Sequence, residues 1–289
     1  MKPTIRLLAA WLLLLAGSAW AQPIEVQDML DRTVSLERPA ARIVSLMPSH
    51  TETLIALGAG DLLVGVDGDS PMPAGLDLPR LGSGFQPNLE LIVSLEPDLV
   101  LTDAFSGLHA QLADLGMMVF AGTPETVAQV LEFNQVLGEL TGFSAEALLL
   151  SGEQQLQLNL AASLTADLEP PTVYVELDPT PFTAGPGSYV DDLLRAVGAV
   201  NVVPEELGPW PMVSNEFVSA SAPDVVLLLD APFGETEESF RTRTGLTAAE
   251  TVVVEVAAGP ADLLSRPGPG LGQALDWLLG QLHPGVAGE

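Results

Sequence analysis

Two glutamates occupy matching places in a repeated stretch. Glu90-x6-Pro97-Asp98-x-Val100-Leu101 recurs as Glu216-x6-Pro223-Asp224-x-Val226-Leu227, displaced by 126 residues throughout. Each glutamate lies two places after a residue suited to capping a helix, Asn88 or Ser214, and so falls in a first helical turn. A carboxylate there offsets the helix dipole, worth about 0.3–1 kcal/mol at a surface. The same acid at the same place in two halves also suits contact with a two-fold symmetric partner. Trp210 lies in Gly208-Pro209-Trp210-Pro211, too proline-rich for a helix or strand interior. An indole held between prolines makes a flat apolar wall for a large ring ligand. Phe182-Thr183 and the loop Asp230-Ala231-Pro232-Phe233 offer further wall.

The residues that would carry catalysis are missing or wrongly spaced. Gly68-Asp69-Ser70 has no Gly-x-Ser-x-Gly context, and Asp276 and His283 stand seven apart. Gly58-x-Gly60 lacks the third glycine of a dinucleotide fingerprint. The three histidines, His50, His109 and His283, are scattered, so no nitrogen-rich metal site is expected. His50 reads as a polar residue at a helix start that reaches toward a cleft mouth.

Composition narrows the classes further. The 289 residues are 47% hydrophobic and 17% charged, enough for a large core and too apolar for disorder. Acids number 38 against 10 basic residues, a net charge of −28. That field repels phosphate backbones, so no nucleic acid is expected as a partner. Beyond Lys2 there is no lysine, which removes P-loop and Schiff-base chemistry.

Lys2 and Arg6 precede an apolar run, Leu7 to Ala16, and then Gly17-Ser18-Ala19-Trp20-Ala21. These are the parts of a secretory signal over 1–21, cleaved near Ala21. The expected location is periplasmic or otherwise exported, soluble after cleavage. With no cysteine, a lipoprotein is not expected.

The elements read as two α/β halves. Arg42–Leu46 is strand-like, and Ser49 with Glu52 fits a capping box ahead of a helix over Thr51–Leu57, ended at Gly58. Leu62–Val66 is a second strand. Leu99–Leu101 and Met117–Phe120 follow, with a helix over Asn88–Leu95. From Pro124 to about Leu168, Leu and Ala recur at helical spacing, broken near Gly142; the second helix, from Ser144, is long. Thr172–Leu177 restarts strand character. Leu54-x-Ala56-Leu57-Gly58-Ala59 is echoed by Leu194-x-Ala196-Val197-Gly198-Ala199. Ligands of open α/β sheets sit beyond the carboxyl ends of the strands, so two such halves would form a cleft.

Arg42-Ile-Val-Ser-Leu-Met-Pro-Ser-His-Thr-Glu52, Leu57-Gly-Ala-Gly-Asp-Leu-Leu-Val-Gly-Val66 and Asn88-Leu-Glu90 through Glu96-Pro-Asp-Leu-Val100 resemble the iron/cobalamin class, class III, of periplasmic substrate-binding proteins. Pro181-Phe-Thr-Ala-Gly185, Pro209-Trp-Pro-Met-Val-Ser214 and Leu264-Ser-Arg-Pro-Gly-Pro269 continue the resemblance, and the Pro-Trp-Pro stretch looks most like the cobalamin binders. The resemblance implies two Rossmann-like α/β lobes, 42–143 and 169–284, joined by one long rigid helix, 144–168, with the ligand between them. It implies the capture of a corrinoid for an ABC importer, with Ser49, His50, Phe85, Phe182, Thr183, Trp210 and Arg266 lining the site. It also implies docking of Glu90 and Glu216 onto arginines of an inner-membrane permease dimer that works with ATPase subunits. No enzyme activity, no metal site and no resident cofactor are implied, cobalamin being cargo, and a monomer is expected. One departure is Asp67-Gly68-Asp69-Ser70-Pro71, where the class commonly has an aromatic near a Tyr-Pro pair.

Ligand charge follows from the arginines. Once the leader is removed eight remain, and Arg266 is the best cleft candidate. Anionic iron–catecholate complexes need several cationic contacts, so a near-neutral corrinoid fits better, with a neutral or cationic siderophore or haem second. An exported α/β scaffold that binds a partner protein without a small ligand is the reading of a different class.

Overall fold

The computed structural model describes residues 23–72 and 74–286; the expected leader, 1–21, lies outside them. Alternating side chains in β1 (Ile24–Gln27) and β2 (Thr33–Leu36) bury Val26, Val34 and Leu36 beneath an antiparallel hairpin. Its turn is folded by Asp28, whose carboxylate accepts from the Leu30 and Arg32 amides and from the Arg32 guanidinium.

The first sheet grows from β3 (Ile43–Ser45), α1 (Pro48–Ala56) and β4 (Leu63–Val66), then a two-residue-armed hairpin, β5 (Gly82–Ser83) and β6 (Gln86–Pro87). α2 (Leu89–Ser94), β7 (Leu99–Thr102), α3 (Leu108–Asp114) and β8 (Val119–Ala121) complete it. Its four strands run parallel in the order β4-β3-β7-β8. β3, β7 and β8 are buried along their whole length because helices cover both faces. The capping box expected at Ser49 and Glu52 does not form. α1 starts three residues earlier than expected, with Met47 as N-cap and Pro48 in the first turn, where its fixed φ and missing N–H cost nothing.

The chain leaves the first sheet through α4 (Val127–Thr141), turns at Gly142 in the left-handed conformation, and returns along α5 (Ser144–Thr165). Each helix is shared between the two cores. Val130 of α4 and Ala161 of α5 join the C-terminal core, while Phe133, Leu137, Leu140 and Ala147 join the N-terminal one. Gln154 sits between, accepting from Asn134 and donating to the Gly268 carbonyl.

The second sheet is built from β9 (Thr172–Asp178), β10 (Phe182–Thr183), α6 (Tyr189–Ala196), β11 (Val200–Asn201), α7 (Asn215–Ser221), β12 (Val225–Leu228), α8 (Glu237–Thr244) and β13 (Val252–Glu255), closed by α9 (Ala258–Ser265) and α10 (Leu271–Leu282). β11, β9, β12 and β13 run parallel in that order, the topology of the first sheet, and β10 adds antiparallel to β9. The repeated sequence therefore makes repeated structure. Asp98 accepts from the Ala41 and Arg42 amides at the start of β3, and Asp224 accepts from the Thr172 amide and hydroxyl at the start of β9. Glu96 and Ala222, 126 residues apart, are both left-handed, with φ of 46° and 40°. Gly58 and Gly198 end α1 and α6 with the same pair of reverse-turn hydrogen bonds.

Candidate functional site

Strands of both sheets run at their carboxyl ends into aspartates. Asp67 follows β4, Asp103 follows β7, Asp178 ends β9, and Asp230 stands two residues beyond β12. The first three fold Asx turns, accepting from the amides of Asp69, Phe105 and Thr180. Arg80 closes the first of these loops by donating to the carbonyls of Asp67, Gly68 and Ser70.

These ends carry aromatic side chains that the fold leaves uncovered. Phe85 lies at the tip of the β5–β6 hairpin, 54% exposed, and Phe105 follows the Asp103 turn, 67% exposed. Their rings pack at 5.7 Å between centroids. Gly84 brings the hairpin onto the sheet, since a Cβ there would overlap the Leu46 carbonyl oxygen. In the second half Phe233 is 92% exposed and Trp210 37%. The Trp210 loop is laced antiparallel to Pro181–Gly185: Thr183 N–H donates to Pro211, Gly185 to Pro209 and Val213 to Pro181. The Phe182 backbone pairs with exposed Met212, and the Phe182 side chain is half-buried. Phe105 is missing from the sequence-derived set. Its signal was an Asp-x-Phe turn directly after a strand.

Packing engages four of the expected ligand residues within the fold. His50 is fully buried against Phe133, 4.8 Å between ring centroids, with Nε2 on the Gly122 carbonyl. Thr183 is fully buried, and its hydroxyl donates to Val175. Ser49 is buried in the first turn of α1, beside Gly268. Arg266 is spent on two carboxylates, Asp262 at 3.0 Å and Glu52 at 3.5 Å. It lines a cavity of about 530 Å³ between α1, α5, α9 and α10.

Burial drives the His50 imidazole down to about 4, against the Gly122 hydrogen bond and Asp103, which favour the cation. With the folded value below the unfolded one, its contribution to stability is present above about pH 6.5 and lost as pH falls through 4. The loss should reach about 3 kcal/mol. Urea denaturation from pH 7 to 4 should show a flatter profile for His50→Gln than for the parent, and parallel profiles would refute the assignment.

Glu90 and Glu216 are both exposed second residues of helices whose caps form as read: the Asn88 side chain accepts from Leu91 N–H, and that of Ser214 from Phe217 N–H. Hydrogen bonds from its own backbone amide and the Ser214 hydroxyl hold the Glu216 carboxyl below its usual range.

Few cations remain free near these surfaces. Besides Arg80 and Arg266, Arg32, Arg195 and Arg241 pair with acids four residues away, and Arg42 caps the carbonyls of Leu95 and Glu96. Arg243 is held by Glu176, Glu235 and Asn215.

A family model described as periplasmic binding protein matches residues 43–248, well over half of the chain. A Bacillus subtilis protein named an uncharacterized ABC transporter substrate-binding lipoprotein is 27% identical over 91% of this chain and 86% of its own length. A cobalamin-binding protein of Halobacterium salinarum is 29% identical over 73% of this chain, which spans 60% of that relative. Among solved structures, the periplasmic vitamin B12 binding protein BtuF of Vibrio cholerae superposes with a TM-score of 0.69 at 25% identity, covering 84% of this chain and 97% of that one. The Bacillus relative corrects the expected lipid-free, soluble location: a lipoprotein stands among the chain's full-length relatives, so freedom from the membrane is not a property of them all. This chain has no cysteine of its own to take a lipid. Proteins of this class bind small ligands, work with ABC permease and ATPase components, and are not enzymes. With its two α/β lobes and this match, the chain belongs to the periplasmic binding protein family, as a substrate-binding protein of the ABC importers that this class serves.

Proposed function

We propose that this chain captures a corrinoid between its lobes, 42–143 and 169–284, joined through 144–168, and hands it to a permease dimer that it meets through Glu90 and Glu216. One observation carries the reading above the others: aromatic faces stand uncovered at the strand carboxyl ends of both sheets, Phe85 and Phe105 on one and Trp210 and Phe233 on the other. Flat apolar walls suit a large ring ligand. The engagement of seven of the eight arginines that follow the leader, all but Arg38, supports a near-neutral ligand over an anionic siderophore. The cobalt is cargo, carried by the corrinoid itself.

Titration with cyanocobalamin, followed by tryptophan fluorescence and calorimetry, tests the proposal. Saturable one-to-one binding is expected, weakened roughly tenfold or more by Trp210→Ala, since such an aromatic anchor contributes on the order of 2 kcal/mol. No binding at high micromolar ligand would reject the corrinoid and turn the titration to haem and neutral ferric siderophores.

A further inference from the structure

The lacing of the Trp210 loop onto Pro181–Gly185 fixes one more side chain at the wall of the second lobe. Thr183 N–H donates to Pro211 and Val213 N–H to Pro181, which makes Phe182 and Met212 the non-hydrogen-bonded pair of an antiparallel bridge, the kind that brings side chains closest. Residues two apart on an extended segment share a face. Pro211 between them is buried, so Trp210 and Met212 stand on the same face. The wall is therefore an indole, a thioether and a phenyl ring, with the thioether between the other two and 68% exposed. Among the described methionines no other sulfur is so open. Those of Met29 and Met72 accept the N–H groups of Thr123 and Leu78, Met47 and Met117 are half-buried, and Met118, just before β8, is 38% exposed. The chain has no cysteine, so no thiol competes for an oxidant.

We infer that Met212 is an oxidation site, and that its conversion to the sulfoxide switches ligand capture off; the switch rests on the reading of this wall as the ligand's. The oxidant is a peroxide. The sulfur lone pair attacks one peroxide oxygen, the O–O bond breaks, an S–O bond forms and water leaves, so sulfur loses two electrons and the peroxide gains them. The product sets a polar oxide where a polarizable apolar group stood among aromatic rings. The Thr183 and Val213 N–H groups on either side are already bonded to carbonyls, and Pro211 has none to offer. A flat apolar ligand that covers the oxide takes it out of water, which weakens binding about tenfold. Methionine sulfoxide reductases reverse the step, two thiols of the reductant giving a disulfide while the oxygen leaves as water.

Limited hydrogen peroxide treatment of the whole chain, followed by peptide mass mapping and cyanocobalamin titration, tests both halves. Met212 is expected to take up oxygen at least about fivefold faster than Met118. Protein oxidised at Met212 should bind cyanocobalamin about tenfold more weakly than the parent with an unchanged melting temperature, and the reductases should restore it. Met118→Leu should keep this response, whereas Met212→Leu, whatever its own affinity, should bind equally before and after peroxide. Equal oxidation rates at Met212 and Met118 would overturn the site. Sulfoxide at Met212 with undiminished binding would overturn the switch and leave the corrinoid reading intact. A parent that binds no cyanocobalamin rejects that reading and takes the switch with it, while the oxidation map still decides the site.

Discussion

Arg243→Gln is expected to destabilise the protein by about 2 kcal/mol more at pH 9.5 than at pH 5. Arg243 reaches from α8 under the carboxyl end of the second sheet. There it donates to Glu176 at 2.5 Å, to Glu235 at 3.1 Å and to Asn215 at 3.0 Å, and lies 5.5 Å from the centroid of the Phe240 ring. Glu176 is fully buried in β9, with its second oxygen unpartnered, and neither carboxylate oxygen of buried Asp230 has a partner. Burial pushes the Glu176 carboxyl up to about 8, against the pull of Arg243, and the Asp230 carboxyl up to about 6.

Both acids have folded values above their unfolded ones. Their contribution to stability is therefore present below the ordinary carboxylate range and is lost as pH rises through about 6 and then 8. Arg243 is what makes the charged form tolerable at the alkaline end. Without it Glu176 stays neutral at pH 5, as in the parent, but at pH 9.5, where the parent's carboxylate is ionised, it must ionise unpaired or hold its proton. Urea denaturation of parent and variant at the two pH values gives the two differences. Equal differences would mean that Arg243 does not govern the ionisation of Glu176.

The fold was legible where local chemistry repeats. The Glu-x6-Pro-Asp stretch displays its capping residue, its acid and its strand start in order, and both copies do the same work, down to the left-handed residues Glu96 and Ala222. What sequence could not show is which way a polar residue points once the halves close. His50 and Thr183 lie in stretches that resemble a binding site, yet Phe133 packs on the first and the Val175 carbonyl takes the hydroxyl of the second. The first contact depends on an element far away in the chain; the second is made eight residues away, but only once β10 pairs with β9. Arg266 reads as free although Asp262 stands four positions earlier; only its second partner, Glu52, 214 positions away, is hidden from local reading. Phe105 was overlooked for the opposite reason. An aromatic after a strand reads as core, and only the Asp103 turn, which sends the chain outward, leaves it exposed.

Reversing both docking acids, Glu90→Arg with Glu216→Arg, should abolish stimulation of the importer's ATPase while leaving cyanocobalamin binding within about twofold of the parent. The two acids are exposed, so the fold does not need them, and the melting temperature should move little. They sit at the same position of equivalent helices, α2 and α7, in lobes of the same strand order. A permease dimer with matching arginines on its two subunits would meet one acid with each. Because the contacts are equivalent, each single reversal should weaken docking by a similar factor, about tenfold, and the double reversal by close to the product. Higher salt should weaken parent docking and leave the double variant indifferent. Reconstituted transporter titrated with the ligand-loaded protein reads all four. A single variant that loses everything while its counterpart loses nothing would show that only one lobe touches the permease there. A double variant that still stimulates ATP hydrolysis would return both glutamates to the lesser role of offsetting a helix dipole.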